Sequence, residues 1–444
     1  MTLASAVKSI ASGEVSAVEL TKTILDRIDI LNDTFRVFIT VMREEALRES
    51  AGGHRPPLQG VPLSVKDLYD TKGVRTTAGA KIFADRVPTQ DAMAVRRLKE
   101  AGAVIVGKTN LHEFAYGVTS INPHYGTPRN PWDPERICGG SSGGSASAVA
   151  LGLGFGSLGT DTGGSIRIPA ALCGIVGLKP TYGRVSVRGI VPLSWSLDHA
   201  GPMARTVEDV AILLQVIDGR PLEPLTGNIK GIRIGIPKTY FYERLASEVD
   251  SAMNTALRTL ERLGARLVDI DLPSVAAHRG VWLQIASPEV YSYHEPYLKK
   301  HADQYGADIL GRIEAGRVLL SIDYVRAQRI RTLMKRECKS VFESVDVIVT
   351  PTTPIPSPRI DEVDKPWGDG PEKAAAALAR FTRFFNIVGL PAISIPCGFT
   401  PGGLPLGMQI VGKPFDESMV LRVAYTYEHE AKFYVSERPY SQSR

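Results

Sequence analysis

The residues able to do chemistry concentrate between Cys138 and Gly183, in CGGSSGGSASAVALGLGFGSLGTDTGGSIRIPAALCGIVGLKPTYG, where glycines and serines alternate with apolar runs. Gly139, Gly140, Gly143, Gly144, Gly163 and Gly164 let the backbone approach a reacting group closely and turn several N–H groups toward one point. Ser141, Ser142 and Ser165 lie beside those amides as nucleophiles or proton carriers. At TDTGGS the amides of Thr162, Gly163, Gly164 and Ser165 can converge as an oxyanion hole, in which one donor contributes about 3 kcal/mol to a transition state. Plainer readings exist for each feature. A flexible Gly/Ser linker would lack the apolar run from Ala146 to Leu158. Ser165 could cap the helix-like Ile166–Cys173, although a cap needs no preceding pair of glycines, and Ser141 could be a turn serine bonding its own backbone.

The block resembles the signature of the amidase signature family, serine hydrolases that cleave amide and related acyl bonds with a Ser-cisSer-Lys triad. The resemblance continues in GVPLSVKD from Gly60, GKTNLHEFAYG from Gly107, RNPWDP from Arg129, SLDHAGPMART from Ser196 and GLPAISIP from Gly389. It implies Ser165 as nucleophile, Ser141 as proton carrier and Lys66 as base, and it implies pocket residues at Tyr116, Thr119, Ile121 and Asn122. Two departures stand out. Cys138 replaces the proline that commonly precedes GGSSGG, and Ile168 follows Arg167 where the glutaminase component of a tRNA-dependent amidotransferase typically has glutamine. The second favours a free-standing amidase over that component.

A serine hydroxyl needs a base, usually a histidine held by a carboxylate. None of the eight histidines falls within the signature. A lysine serves instead when burial keeps it neutral. Lys66 ends an extended run in which Val61, Leu63 and Val65 face one side and Ser64 and Lys66 the other. A surface lysine at a strand end is the plain alternative.

Two other matches imply different proteins. GAVIVGKT, from Gly102 to Thr109, fits the phosphate-loop pattern, but Ala103–Val106 reads as a strand and Ala92–Ala101 as an amphipathic helix, the reverse of what a nucleotide site requires. Gly139–Gly143 fits G-x-S-x-G, the nucleophile elbow of an α/β-hydrolase-like esterase. That reading makes Ser141 the nucleophile, with Asp198 and His199 as partners, yet RNPWDPER upstream is a loop rather than a strand.

These residues must be held by a large scaffold. With 444 residues, 43% of them hydrophobic, the chain can bury an extensive core. A net charge of +5 argues against nucleic acid or an anionic membrane as partner. Cys138, Cys173, Cys338 and Cys397 form no C-x-x-C pair, so reduced thiols are expected, with no metal and no organic cofactor. The N-terminus shows no long apolar run, so a cytoplasmic protein is expected; the resemblance implies a monomer or homodimer acting on a small amide or carbamate.

The pattern predicts an α/β fold: a mixed central β-sheet flanked by helices on both faces, with a helical cap or subdomain. Helices are expected at Ser16–Leu31, Arg43–Glu49 and Glu248–Leu263. Strands are expected at Val37–Val41, GVPLSVKD, AVIVG, SLGTD, GIVGLKP, GIRIGIP, ARLVDIDLP, VDVIVTPTTP, AISIPCGF and LGMQIVG. One large domain spans 1–444, with an N-terminal helical region at 1–50, a signature core at 60–205 and a mostly helical insertion at 275–343. Ile355–Glu372 reads as a long surface loop bordering the substrate entrance.

Overall fold

Local signals set the first elements. Ser16 accepts from the Glu19 amide while the Glu19 carboxylate accepts from the Ser16 amide, a reciprocal cap worth about 1 kcal/mol. The helix Ala17–Phe35 starts there and buries Ile24, Leu25, Ile28, Leu31 and Phe35, one face of a 3.6-residue period.

The computed structural model describes residues 1–52, 55–368 and 370–433. Eleven strands among them form one sheet: β1 Phe38–Val41, β2 Pro62–Lys66, β3 Val104–Thr109, β4 Gly156–Asp161, β5 Val176–Lys179, β6 His199–Ala204, β7 Arg233–Ile236, β8 Arg266–Asp269, β9 Val347–Pro351, β10 Ala392–Phe399 and β11 Pro405–Gly412. Their order is β1-β3-β2-β4-β6-β5-β10-β11-β9-β7-β8. The sheet is mixed: β2 runs parallel to β3 and β4, and β7 to β8 and β9, while the other pairs are antiparallel.

Both faces are covered. Val347, Val349, Ile393, Ile395 and Ile410 join one apolar cluster, with residues of the helices Ala17–Phe35, Val207–Asp218, Ser247–Arg262 and Glu417–Ala431. Their neighbours Ile348, Ala392 and Val411 point the other way, into a second cluster with the helices His278–His301, Ala307–Glu314, Ser321–Ser344 and Arg383–Val388. The period-2 alternation of a strand thus feeds two cores. This is the mixed sheet with helices on both faces that the sequence predicts.

One strand departs from the sequence reading. β6, HAGPMA, carries a glycine and a proline and was not predicted, yet it lies inside the sheet, paired along its length with β4 and at its end with β5. Pro202 sits opposite Leu158. GAVIVGKT contributes β3 rather than a loop between its glycines. Lys108 there is buried, ion-paired to Asp67 at 3.0 Å and donating to Tyr69 O and Thr76 Oγ1, so it has no N–H left for a phosphate. Among the described residues no helix is long and apolar enough to cross a membrane.

Candidate active site

β2 and β4 are parallel neighbours with Ser64 opposite Ser157 and Val65 opposite Leu158. That register brings Lys66, at the end of β2, level with Gly159 on β4, one residue short of Thr160. Val61, Leu63 and Val65 pack into the first apolar cluster, and Lys66 projects from the opposite face. Its Nζ lies 2.7 Å from Ser141 Oγ, 3.0 Å from Ser142 Oγ and 2.8 Å from Thr160 Oγ1. Lys66, Ser141 and Ser142 are fully buried. Among the described residues no carboxylate touches the amine. Burial therefore holds the Lys66 ammonium well below the usual lysine value, against a smaller opposing pull from Asp161 and Asp198.

Ser141 sits on the segment entering the helix Gly143–Ala150, after a cis Gly140–Ser141 peptide. That helix starts almost against Asn110: a Cβ on Gly144 would lie 2.4 Å from the Asn110 carbonyl oxygen, so only glycine fits. Ser165 lies in the turn between β4 and the helix Arg167–Cys173, which begins without a side-chain cap. The two serine segments are joined directly, since the Ser142 amide donates to Ser165 O at 3.2 Å.

Asp161, at the end of β4, braces this turn. It accepts from the amides of Gly164 (2.8 Å), Ile166 (3.2 Å) and Arg167 (3.4 Å), from Arg167 Nε and Nη2 and from Asn386 Nδ2. Burial alone would raise the Asp161 carboxyl, but Arg167, Lys179 and Asn386 overcome it and hold it below the ordinary carboxylate range. Arg167 is itself fully buried and reaches Gln409 Oε1 and Asn386 Oδ1. At Gly164, φ is +127° and a Cβ would meet Thr382 Oγ1 at 2.2 Å, so the turn admits only glycine.

A cavity of about 340 Å³ opens in front of Ser165 and Gly163. Its walls include His112, Tyr116, Thr119, Trp282, Arg312 and Arg383. Trp282 Nε1 donates to Thr162 O at 2.9 Å, tying the wall to the turn.

The structure brings Lys66 and Ser141 into contact and sets Ser165 at the cavity beside Gly163, with Tyr116 and Thr119 on its wall. It separates the rest. The Gly164 amide is engaged by Asp161, which leaves Thr162, Gly163 and Ser165 from the predicted donor set. Ile121 packs beside the cluster of Ile137, Ile168 and Leu172 rather than at the cavity. Asn122 is a turn holder: its Nδ2 donates to Gly79 O and Leu111 O, and its Oδ1 accepts from the amides of His124 and Tyr125. The esterase constellation is also absent. Asp198 accepts from Thr162 Oγ1 and the amides of Leu193 and Ser194, and its carboxyl is pushed up to about 6 by burial. His199 Nδ1 faces the carbonyls of Leu197 and Asp161. Among the described residues no histidine ring bonds the hydroxyl of Ser141 or Ser165.

Of the predicted entrance segment, Asp364 lines the cavity, while Ile355 and Val363 are buried; Asp369 lies outside the described residues. The four cysteines are free and buried. Sequence reasoning missed Asp161, Arg167, Thr160 and the wall residues Trp282 and Arg383. The first had a readable signal, an acid placed to accept from the amides of the glycine turn that follows it.

The chain matches the amidase family model over residues 19–421. It is 40% identical to a glutamyl-tRNA(Gln) amidotransferase component of Myxococcus xanthus (strain DK1622), over 99% of both chains. It is 42% identical to an amidase of Pseudomonas putida, over 96% of this chain and 95% of that one. A crystal structure of an amidase superposes with a TM-score of 0.92 at 36% identity, covering 97% of this chain and 100% of the other. Fold and relatives together define an amidohydrolase, an enzyme that cleaves C–N bonds of the amide type. The chain belongs to the amidase family, whose Gly/Ser signature lies at the centre of its sheet.

Proposed function

We propose that this chain is a free-standing amidase working through an acyl-enzyme on Ser165, with Ser141 and Lys66 as relay and base. One observation carries the reading: a fully buried amine surrounded, among the described residues, by three hydroxyls and no carboxylate. A neutral amine has two N–H donors and one lone pair. Ser142 already donates its hydroxyl to Thr160 O, so its oxygen accepts one N–H and Thr160 Oγ1 accepts the other. The lone pair is left for Ser141.

Lys66 takes the Ser141 proton as Ser141 takes that of Ser165, whose oxygen attacks the amide carbon. The oxyanion rests on the amides of Thr162, Gly163 and Ser165. The proton returns through Ser141 to the leaving nitrogen, the C–N bond breaks, and water repeats the sequence on the acyl-enzyme. Carbamates and activated esters present the same carbonyl to Ser165.

The relatedness to an amidotransferase component favours a second reading, glutaminase within a larger assembly. Against it, Ile168 packs into an apolar cluster with Ile137, Leu172, Ile355 and Val363 where that component typically has glutamine. Assay of the purified chain alone on a panel of amides, carbamates, esters and glutamine separates the two. Ser165→Ala should abolish turnover with the fold intact, and a fluorophosphonate should label Ser165. Loss of activity in Ser141→Ala with retention in Ser165→Ala would make Ser141 the nucleophile.

A further inference from the structure

The cavity in front of Ser165 holds more positive charge than amide cleavage requires. Among the described residues Arg279, Arg312, Lys373 and Arg383 line it against one carboxylate, Asp364. Two of these cations are engaged. Lys373 pairs with Asp364 at 3.2 Å, and Arg312 pairs with Asp308 at 3.5 Å and donates to Tyr116 O at 2.8 Å. The guanidinium groups of Arg279 and Arg383 form no ion pair and no hydrogen bond among the described residues.

Arg383 is the more informative of the two. Its stem runs beside the nucleophile turn, since a Cβ on Gly163 would lie 3.3 Å from Arg383 Cγ. Its guanidinium lies over the Trp282 ring, 5.0 Å from the centroid, a contact that orients the planar fork without neutralising it. Burial, with Arg279 and Arg312 nearby, lowers the group to about 10. Half-buried at the cavity wall, the guanidinium has no counter-charge among the described residues, and a free planar fork matches a carboxylate in two parallel hydrogen bonds.

We propose that the amide cleaved at Ser165 carries a carboxylate, received by Arg383 with Arg279 at its side, a few bonds from the scissile carbonyl. The inference rests on the amidase reading above and names its substrate class. It also separates that class from glutamine. An α-ammonium would need an acidic acceptor, and Asp364 is already paired with Lys373, so the pocket favours an acid amide of net charge −1 over an amino acid.

Three probes of one skeleton test this: glutaric acid monoamide, pentanamide, in which a methyl replaces the carboxylate, and glutamine, which adds the α-ammonium. Ammonia release gives kcat/KM for wild type, Arg383→Gln and Arg383→Lys. Wild type prefers the monoamide to pentanamide by about tenfold to a hundredfold, chiefly through KM, the range of a hydrogen bond to a charged group. It prefers the monoamide to glutamine by about tenfold or more, the scale of an uncompensated like charge. The monoamide-to-pentanamide ratio falls toward one in Arg383→Gln and is partly retained in Arg383→Lys. Equal wild-type rates on the monoamide and pentanamide, or an unchanged ratio in Arg383→Gln, would overturn the inference, and the wild-type ratio decides alone should the variant fail to fold. Glutamine cleaved as well as the monoamide would overturn the net-charge assignment. Turnover of none of the three, with no covalent labelling of Ser165, would instead remove the amidase reading beneath it.

Discussion

Asp161→Asn is the most searching perturbation of the turn that carries Ser165. Every neighbour of the carboxylate is a donor: Oδ1 accepts from the Gly164 amide, Arg167 Nη2 and Asn386 Nδ2, and Oδ2 from the Ile166 and Arg167 amides and Arg167 Nε. Asparagine keeps the shape but turns one oxygen into NH2, which faces three donors whichever way the amide is turned. It also leaves Arg167, fully buried, without the carboxylate that neutralises it. Breaking one side of a buried ion pair costs about 3–5 kcal/mol. With an unfolding entropy of about 2.1 cal/mol/K per residue, 444 residues give roughly 0.9 kcal/mol per degree, so Tm falls by about 3–5 °C. The turn loses the anchors of Gly164 and Ile166, and a displacement of about 1 Å at a nucleophile lowers kcat on the order of a hundredfold. Thermal melts by circular dichroism and saturating amide turnover read both effects. Asp161→Asn/Arg167→Met removes both charges and destabilises by at least about 1 kcal/mol less than the two single variants added together. A Tm within a degree of wild type together with wild-type kcat would refute the bracing role of Asp161.

Lys66→Arg should reduce amide turnover to background, because a guanidinium stays protonated and cannot act as a base; a rate above about a hundredth of wild type would speak against Lys66 as the base. In the wild type the base must be neutral, so activity should climb with pH along a limb set below the ordinary lysine value, as the lowered Lys66 requires; a pH–rate profile without such a limb counts against it. Glu428, buried where it accepts from the Val207 amide, is pushed up to about 8 by that burial, with Asp209 and Glu208 adding. Between its ordinary 4.5 and about 8 the folded chain keeps a proton that the unfolded chain has released, so wild-type stability falls as pH rises through that window and levels off above it. Glu428→Gln keeps an acceptor for Val207 and cannot ionise, so its Tm should gain on wild type from pH 5 to 8; a constant difference would refute the assignment.

The elements with a clean period were legible. β9, β10 and β11 read as strands because their apolar residues had to satisfy two cores. β6 was not, because Gly201 and Pro202 are ordinarily marks of a loop or an edge; its place inside the sheet comes from antiparallel pairing with β4, a long-range fact with no local signature. At the site, Lys66 could be anticipated from its strand and its resemblance, but the occupation of the Gly164 amide by Asp161 depends on how a side chain folds back on its own turn. Tyr116 and Asn122 lie close in sequence, yet one borders a cavity and the other ties down backbone carbonyls, a difference set by neighbours such as Gly79 and Leu111. Arg383 and Trp282 meet only because a helical stretch folds over the sheet.

The proposed relay draws on residues between 66 and 165, whereas much of the cavity wall, apart from the stretch 112–119 and Leu193, comes from 279–283, Arg312 and 364–383. The proposed relay is therefore written in the upstream part of the gene, while the downstream part supplies the rest of the wall and, through Asn386, Gln409 and Trp282, props for the turn that carries Ser165. Mutations at downstream wall residues such as Leu283, Ala375 and Ala376 can retune which amide is admitted while the proton pathway stays untouched. For directed evolution this makes the downstream segment a partial cassette: libraries confined to wall codons that leave Trp282, Thr382, Asn386 and Gln409 in place explore new substrates at little risk to the bond-breaking step, and a chimera must carry those four residues along with the upstream part to inherit its chemistry.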